Sequence, residues 1–149
     1  PAFSSAFSGE RSVDTIEELL HSLAQSLASL RVIQTEGVPD PGLDPVRWAG
    51  VRYLAQTAIQ ACVDIADQVL AWENVDEPPR SRDVFPALAA ASRLDPALAQ
   101  RLSGLVGLRN SLVHNYAHVS REEMVQKLPE VISAAGEFAE AAGRWLGEA

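Results

Sequence analysis

Apolar residues recur every three or four positions along most of this chain, which is the spacing of helices that bury one face. Residues 13–34 carry such a stripe, formed by Ile16, Leu20, Leu23, Leu27 and Leu30. Thr15 and Glu18 predict a capping box at its start. Residues 13–34 are therefore predicted to form a first helix, and residues 1–12, which lack periodicity, to form a flexible tail.

Three further long helices begin at recognisable caps. Asp44 and Asp95 each precede a proline, so a carboxylate can accept the free N–H groups of a first turn that proline fits. Ser120 and Glu123 form a second predicted capping box. The apolar stripes that follow predict helices over residues 44–73, 95–116 and 120–149, with a short helix over residues 83–93. Pro129 lies inside the last helix and is predicted to kink it.

The order of these elements predicts an all-α fold. No segment alternates between apolar and polar residues as a strand does. Short connections between long amphipathic helices favour antiparallel neighbours, so we expect an antiparallel four-helix bundle with an additional short helix. The 149 residues are enough for one core, and residues 13–149 are predicted to form a single domain.

Charge and composition narrow the possible functions. Twelve Lys and Arg against 20 Asp and Glu give a net charge of −8, so a broad electrostatic grip on nucleic acid is not expected. The single cysteine, Cys62, cannot form an internal disulfide, and no metal-binding motif is present. Without a secretion signal or an apolar membrane span, we expect a cytoplasmic protein.

The densest polar segment is residues 107–116, at the end of the fourth predicted helix. On an ideal helix Tyr116 returns to within about 20° of the face of Arg109, whereas His114 lies about 140° away. Either the helix ends near His114, or Arg109 and His114 act together with residues of another subunit. Both residues could also simply stabilise the end of the helix.

This segment, Arg109-x4-His114-x-Tyr116, resembles the Arg-x4-His-x-Tyr motif of HepT toxins, members of the HEPN superfamily of helical ribonucleases. The resemblance extends over residues 13–145 and includes the core of the second helix at residues 58–66. It implies a HEPN-like bundle and a homodimeric, metal-independent endoribonuclease without a cofactor, in which the motifs of two protomers face one cleft. It also implies a partner similar to the nucleotidyltransferase antitoxin MntA, which attaches AMP units to the motif tyrosine, here Tyr116.

The residue types suit cleavage of RNA. His114 can act as general base or acid towards a ribose hydroxyl, and Arg109 can hold the scissile phosphate. Attack by the 2′-hydroxyl would leave a cyclic phosphate and needs no metal ion. Asn110 is either a supporting residue that orients the phosphate or a surface residue, and Tyr116 either stacks on a base or covers the edge of the core.

Two other functions remain open: a non-catalytic helical module that docks a nucleotidyltransferase, and a nucleotide-binding sensor. RNA binding in so acidic a protein requires a local positive groove, to which Arg101 or Arg121 could add. Structural roles are predicted for the remaining candidate residues. Asp64 and Asp67 orient Arg109 or lie on a solvated face, His21 and His118 are surface residues, and Trp48 and Trp72 belong to the core or an interface.

Overall fold

The computed structural model describes the backbone of residues 2–148 and the side chains of residues 13–148. Five α-helices make up this part of the chain, and none of its residues forms a strand. They are α1 (Ala2–Glu36), α2 (Pro45–Trp72), α3 (Val84–Ala90), α4 (Pro96–His114) and α5 (Arg121–Glu148). Short 3-10 turns lie at Ser81–Asp83 and Tyr116–His118. The predicted all-α class is confirmed.

The starts of α2, α4 and α5 are capped as the sequence predicts. Asp44 accepts a hydrogen bond from the backbone N–H of Arg47 at 3.2 Å. Asp95 accepts one from Leu98 at 3.2 Å, and the hydroxyl of Ser120 accepts one from Glu123 at 3.1 Å. Each bond satisfies an N–H group that the first turn of the helix leaves without a partner.

The start of α1 differs from the prediction. The helix begins at Ala2, so Thr15 lies inside it and the predicted capping box at Thr15 is wrong. No proline separates residue 2 from Thr15, and a Ser or Thr side chain marks a helix start only where the backbone leaves the helix. The predicted flexible tail falls on residues 1–12, whose side chains lie outside the described residues.

The four long helices form the predicted bundle, and α3 is the additional short helix. α2 packs against each of the other four helices, and α1 also packs on α5. The antiparallel course of α2 and α4 is visible in their contacts, because Gln60 meets Arg109 of α4, whereas Arg52, earlier on α2, meets Tyr116 in the 3-10 turn that follows α4. α2 therefore lies beside the polar segment at the end of α4.

Aromatic rings fill the centre of the bundle around α5. The Phe138 ring makes edge contacts with Phe85 at 5.6 Å and with Trp145 at 5.5 Å between centroids. Trp48 is buried and Trp72 packs against the core while partly exposed, so both take the predicted core role. α5 continues through Pro129 as one helix, and the kink stays a prediction.

Candidate functional site

The polar segment of α4 ends in a sharp change of backbone direction. The helix stops at His114, because Asn115 adopts φ −134° and ψ 38°, although its N–H still donates to the carbonyl of Ser111 at 2.8 Å. The 3-10 turn follows, with the N–H of His118 donating to the carbonyl of Asn115 at 2.9 Å. The predicted helix to Tyr116 is therefore two residues too long, and of the two alternatives the helix does end at His114.

The guanidinium of Arg109 is held by neutral amides. It donates to the side-chain oxygen of Gln60 on α2 at 2.7 Å, and twice to that of its neighbour Asn110, at 3.2 and 2.6 Å. Gln60 in turn donates to Asp64 at 2.8 Å. Asp64 thus orients Arg109 through Gln60, which is one of the two alternatives considered for it. Asn110 contacts Arg109 directly, and its predicted role in orienting a phosphate stays a prediction.

His114 lies apart from Arg109. Five helical steps separate the two residues and turn His114 about 140° away, and its side chain is exposed. Among side chains 13–148, no hydrogen bond or ion pair joins His114 to Arg109. One chain therefore does not bring the two proposed catalytic residues into contact. His21 and His118 are exposed, as predicted for surface residues.

The Tyr116 ring lies against α2, the helix that also contacts Arg109. The guanidinium carbon of Arg52 lies 5.1 Å from the centre of the Tyr116 ring and 5.9 Å from the Trp48 ring, within the range of cation–π contacts. The Tyr116 side chain remains 59% exposed. Beside it is an open pocket of about 350 Å³ lined by Ala49, Arg52, Tyr53, Gln56, Leu112, Val113 and Tyr116.

Apart from Asp64, the α2 side of this site was missed by the sequence analysis. Its polar residues are spaced four apart, at Arg52, Gln56, Gln60 and Asp64, and residues at this spacing lie on one helix face. That regular spacing was the available signal. The helix was assigned from the apolar stripe of α2 alone, so the polar residues beside that stripe were not considered as a group.

The arginines that lie at the site are not the two that were expected to assist it. Arg101 is bound to Glu130 and Glu137 of α5, and these carboxylates raise the pKa of its guanidinium. Arg121 donates to the carbonyl of Val38 at 2.9 Å. The carboxylates of α5 neutralise Arg101, so within one chain Arg101 adds no net charge to the groove between α2 and α4. The carbonyl of Val38 leaves the charge of Arg121 intact, and the contribution of Arg121 stays a prediction. Arg109 and Arg52 are the arginines that lie at this groove.

Asp67 lies one turn beyond Asp64 and makes no hydrogen bond to Arg109 in the described structure. One of its carboxylate oxygens is buried without a partner. Burial, followed by the charges of Glu77 and Asp64, raises the pKa of the Asp67 carboxyl from 3.8 to about 6. The folded protein therefore binds this proton more tightly than the unfolded chain does.

The raised pKa of Asp67 predicts that Asp67→Asn increases the stability of the protein in a pH-dependent way. The favourable contribution of protonated Asp67 is complete below about pH 4 and is lost as the pH rises through about 6. The variant should therefore melt at a higher temperature than the wild type at neutral pH, with the difference vanishing in acid. Thermal melts across this pH range, with exposed Asp14→Asn as the charge-matched control, measure it. A variant that melts lower at neutral pH would contradict the assignment.

The described residues include one buried cysteine and no cluster of metal-binding side chains. No group of three or more His, Cys, Asp or Glu side chains there could hold a metal ion. Burial raises the pKa of the Cys62 thiol well above its ordinary value, so this cysteine is a poor nucleophile. In the same part of the chain, no helix combines the length and the apolar character needed to cross a bilayer.

The sequence matches one family of helical proteins. The model of the family described as ribonuclease HepT-like matches residues 40–142. A curated relative, the mRNA nuclease HepT of Shewanella oneidensis, is 34% identical over 70 residues, which are 47% of this chain and 53% of that protein. The chain thus spans about half the length of this relative.

Solved structures share the fold. The tri-AMPylated Shewanella oneidensis HEPN toxin in complex with MNT antitoxin gives a TM-score of 0.76 at 23% identity, over 86% of this chain and 96% of that one. The cytosolic protein YutE from Bacillus subtilis gives 0.74 at 16% identity, over 89% of each chain. These likenesses establish the HEPN-like bundle. Since the family match covers most of the sequence, the chain belongs to the ribonuclease HepT-like family.

Proposed function

We propose that this chain is the toxin of a toxin–antitoxin pair and acts as a metal-independent endoribonuclease. The observation that carries the proposal is the state of Arg109, which neutral amides hold in a fixed position and no carboxylate of the described residues neutralises. It lies in the motif Arg109-x4-His114-x-Tyr116, in a chain 34% identical over 70 residues to an mRNA nuclease. A fixed, charged guanidinium is suited to binding a phosphate.

The chemistry requires one proton acceptor and one stabiliser of negative charge. His114 takes the proton of a ribose 2′-hydroxyl, the 2′-oxygen forms a bond to phosphorus, and the bond to the 5′-oxygen breaks. The departing oxygen takes a proton from water, leaving a 5′-hydroxyl and a 2′,3′-cyclic phosphate, and the hydroxide so formed takes back the proton held by His114. Arg109 holds the non-bridging oxygens and stabilises the charge that grows on them.

A second copy of the chain completes the site. Because His114 points about 140° away from Arg109 on one helix, the two groups reach one phosphate when the motif of a partner faces them. The proposed active form is a homodimer.

The proposed antitoxin is an MntA-like nucleotidyltransferase that adenylylates Tyr116. The exposed phenol is accessible to such an enzyme, and the fold is shared with a tri-AMPylated HEPN toxin bound to MNT antitoxin. Each added AMP would bring bulk and negative charge to the groove between α2 and α4. The modification would thereby block access to Arg109 and repel the RNA.

Cleavage of a single-stranded RNA in the presence of EDTA tests the proposed activity. The purified protein should cut the RNA with excess chelator and leave 2′,3′-cyclic phosphate ends, because proton transfer and charge stabilisation come from side chains. Mass spectrometry of the fragments identifies the ends. Cleavage that appears only with added Mg²⁺ would contradict the mechanism. A folded dimer without activity would favour the alternative, a non-catalytic module that docks a nucleotidyltransferase.

A further inference from the structure

Arg52 contacts the rings of Trp48 and Tyr116 but has no carboxylate counterion among the described residues. Its Nε is buried without a hydrogen-bond partner, and no carboxylate among side chains 13–148 forms an ion pair with it. Arg93 and Arg101, by contrast, each bind two carboxylates. A half-buried guanidinium without a counterion is costly, and an anionic ligand offsets that cost. The chain has a net charge of −8, so it contains many carboxylates that could have paired with Arg52.

The pocket beside Arg52 has the size and composition of a nucleotide site. Its volume of about 350 Å³ lies within the range of roughly 300–1,000 Å³ typical of small-ligand pockets. The exposed rings of Tyr53 and Tyr116 line it together with the amide of Gln56. Aromatic rings and arginine stack on unpaired bases, and a carboxamide can bond to their edges.

The pocket is separate from the position where Arg109 is held. Arg109 binds Gln60, which lies eight residues beyond Arg52 on α2, a rise of about 12 Å along the helix axis. Gln56 lies between them on the same face. These backbone positions are far enough apart for the two guanidiniums to bind different phosphates of one strand.

We propose that Arg52, Gln56 and Tyr116 form a second nucleotide subsite, which holds a phosphate and a base of single-stranded RNA next to the cleaved position. This subsite rests on the proposed ribonuclease function and deepens it. It provides affinity for a longer strand, and Gln56 provides a preference among bases. The ligand is a nucleotide of the RNA chain, and Arg52 binds its phosphate.

RNA binding tests the subsite without requiring cleavage. In the His114→Ala background, which should leave the RNA intact, Arg52→Gln should weaken binding of an RNA of about ten nucleotides roughly tenfold. The slope of log affinity against log salt should fall by about 0.7, the value for one lost phosphate contact on a single strand. Arg144→Gln is the matched control. It removes the same charge from an exposed position near Trp145, at the opposite end of the bundle.

Cleavage of substrates of different length provides the second measurement. The ratio of kcat/KM for the longer RNA to kcat/KM for a dinucleotide should fall roughly tenfold in Arg52→Gln, because the dinucleotide has no phosphate for the subsite. Gln56→Ala should change the base preference next to the cut. It also tests the pocket if Arg52→Gln fails to fold, which thermal melts would reveal.

The other possible results of these measurements distinguish a failure of the subsite from a failure of the proposed ribonuclease function. An equal loss for both substrates, or an unchanged salt slope, would overturn the subsite and leave the ribonuclease proposal standing. Weaker binding of free AMP with unchanged RNA affinity would assign the pocket to an adenylate and also overturn it. A wild type that cuts no RNA in any buffer would contradict the proposed function, while the binding measurement would still decide whether Arg52 holds a strand.

Discussion

His114→Ala is expected to lower the rate of RNA cleavage by about 10²–10⁴-fold, the usual contribution of general acid–base catalysis. The residue is exposed at the last position of α4, so its removal should leave the melting temperature nearly unchanged. The rate constant for cleavage of a labelled RNA in EDTA, together with a thermal melt, measures both effects.

His118→Ala is the matched control for this variant. His118 is also exposed, lies four residues further along the chain and ends the short 3-10 turn, but it falls outside the motif. Its removal should leave cleavage within a few-fold of the wild-type rate. Equal losses in the two variants, or wild-type activity in His114→Ala, would exclude His114 as the proton-transferring group.

A mixed dimer of Arg109→Ala and His114→Ala protomers is expected to regain roughly half of the wild-type activity, although each variant alone is nearly inactive. If Arg109 of one protomer acts with His114 of its partner, one of the two symmetric sites in the mixed dimer keeps both residues. Co-expression with two different affinity tags and sequential purification isolates this dimer. The cleavage rate is then compared with those of the two parent homodimers.

Inactivity of the mixed dimer would show that Arg109 and His114 act within one chain. A dimer of Arg109→Ala with the wild type serves as the control for tags and assembly, and it should also retain roughly half of the activity. Sedimentation or light scattering on the same samples establishes that they are dimers. A monomeric wild type with full activity would contradict the shared site altogether.

The fold was predictable where the local sequence dictates the backbone. Asp44 and Asp95 before proline, and Ser120 before Glu123, marked helix starts correctly because each cap is a contact between residues three apart. The end of α4 was placed two residues late, because the apolar stripe continues beyond the point where the dihedral angles of Asn115 leave the helix. Thr15 was mistaken for a cap because capping requires a backbone break that its side chain alone does not create.

The site was only half predictable for a similar reason. The motif placed Arg109, His114 and Tyr116 on one segment, and helical geometry correctly separated His114 from Arg109. Arg52 and Gln60 contribute from a different helix, and the pairing of α2 with α4 is a property of the packed bundle. A hydrophobic stripe shows that a helix faces the core but not which neighbour faces its polar edge.

The hydrogen-bonded series from Asp64 through Gln60 to Arg109 has a consequence for the choice of residue at position 60. A glutamate there would hold the guanidinium at least as firmly, but it would neutralise the charge that must attract a phosphate and would repel Asp64. Gln60 is oriented by its hydrogen bond to Asp64 and in turn orients Arg109. It also keeps the negative charge of Asp64 one side chain away from the guanidinium. The arginine is thereby held in place and keeps its full positive charge, as the proposed binding of an RNA phosphate requires.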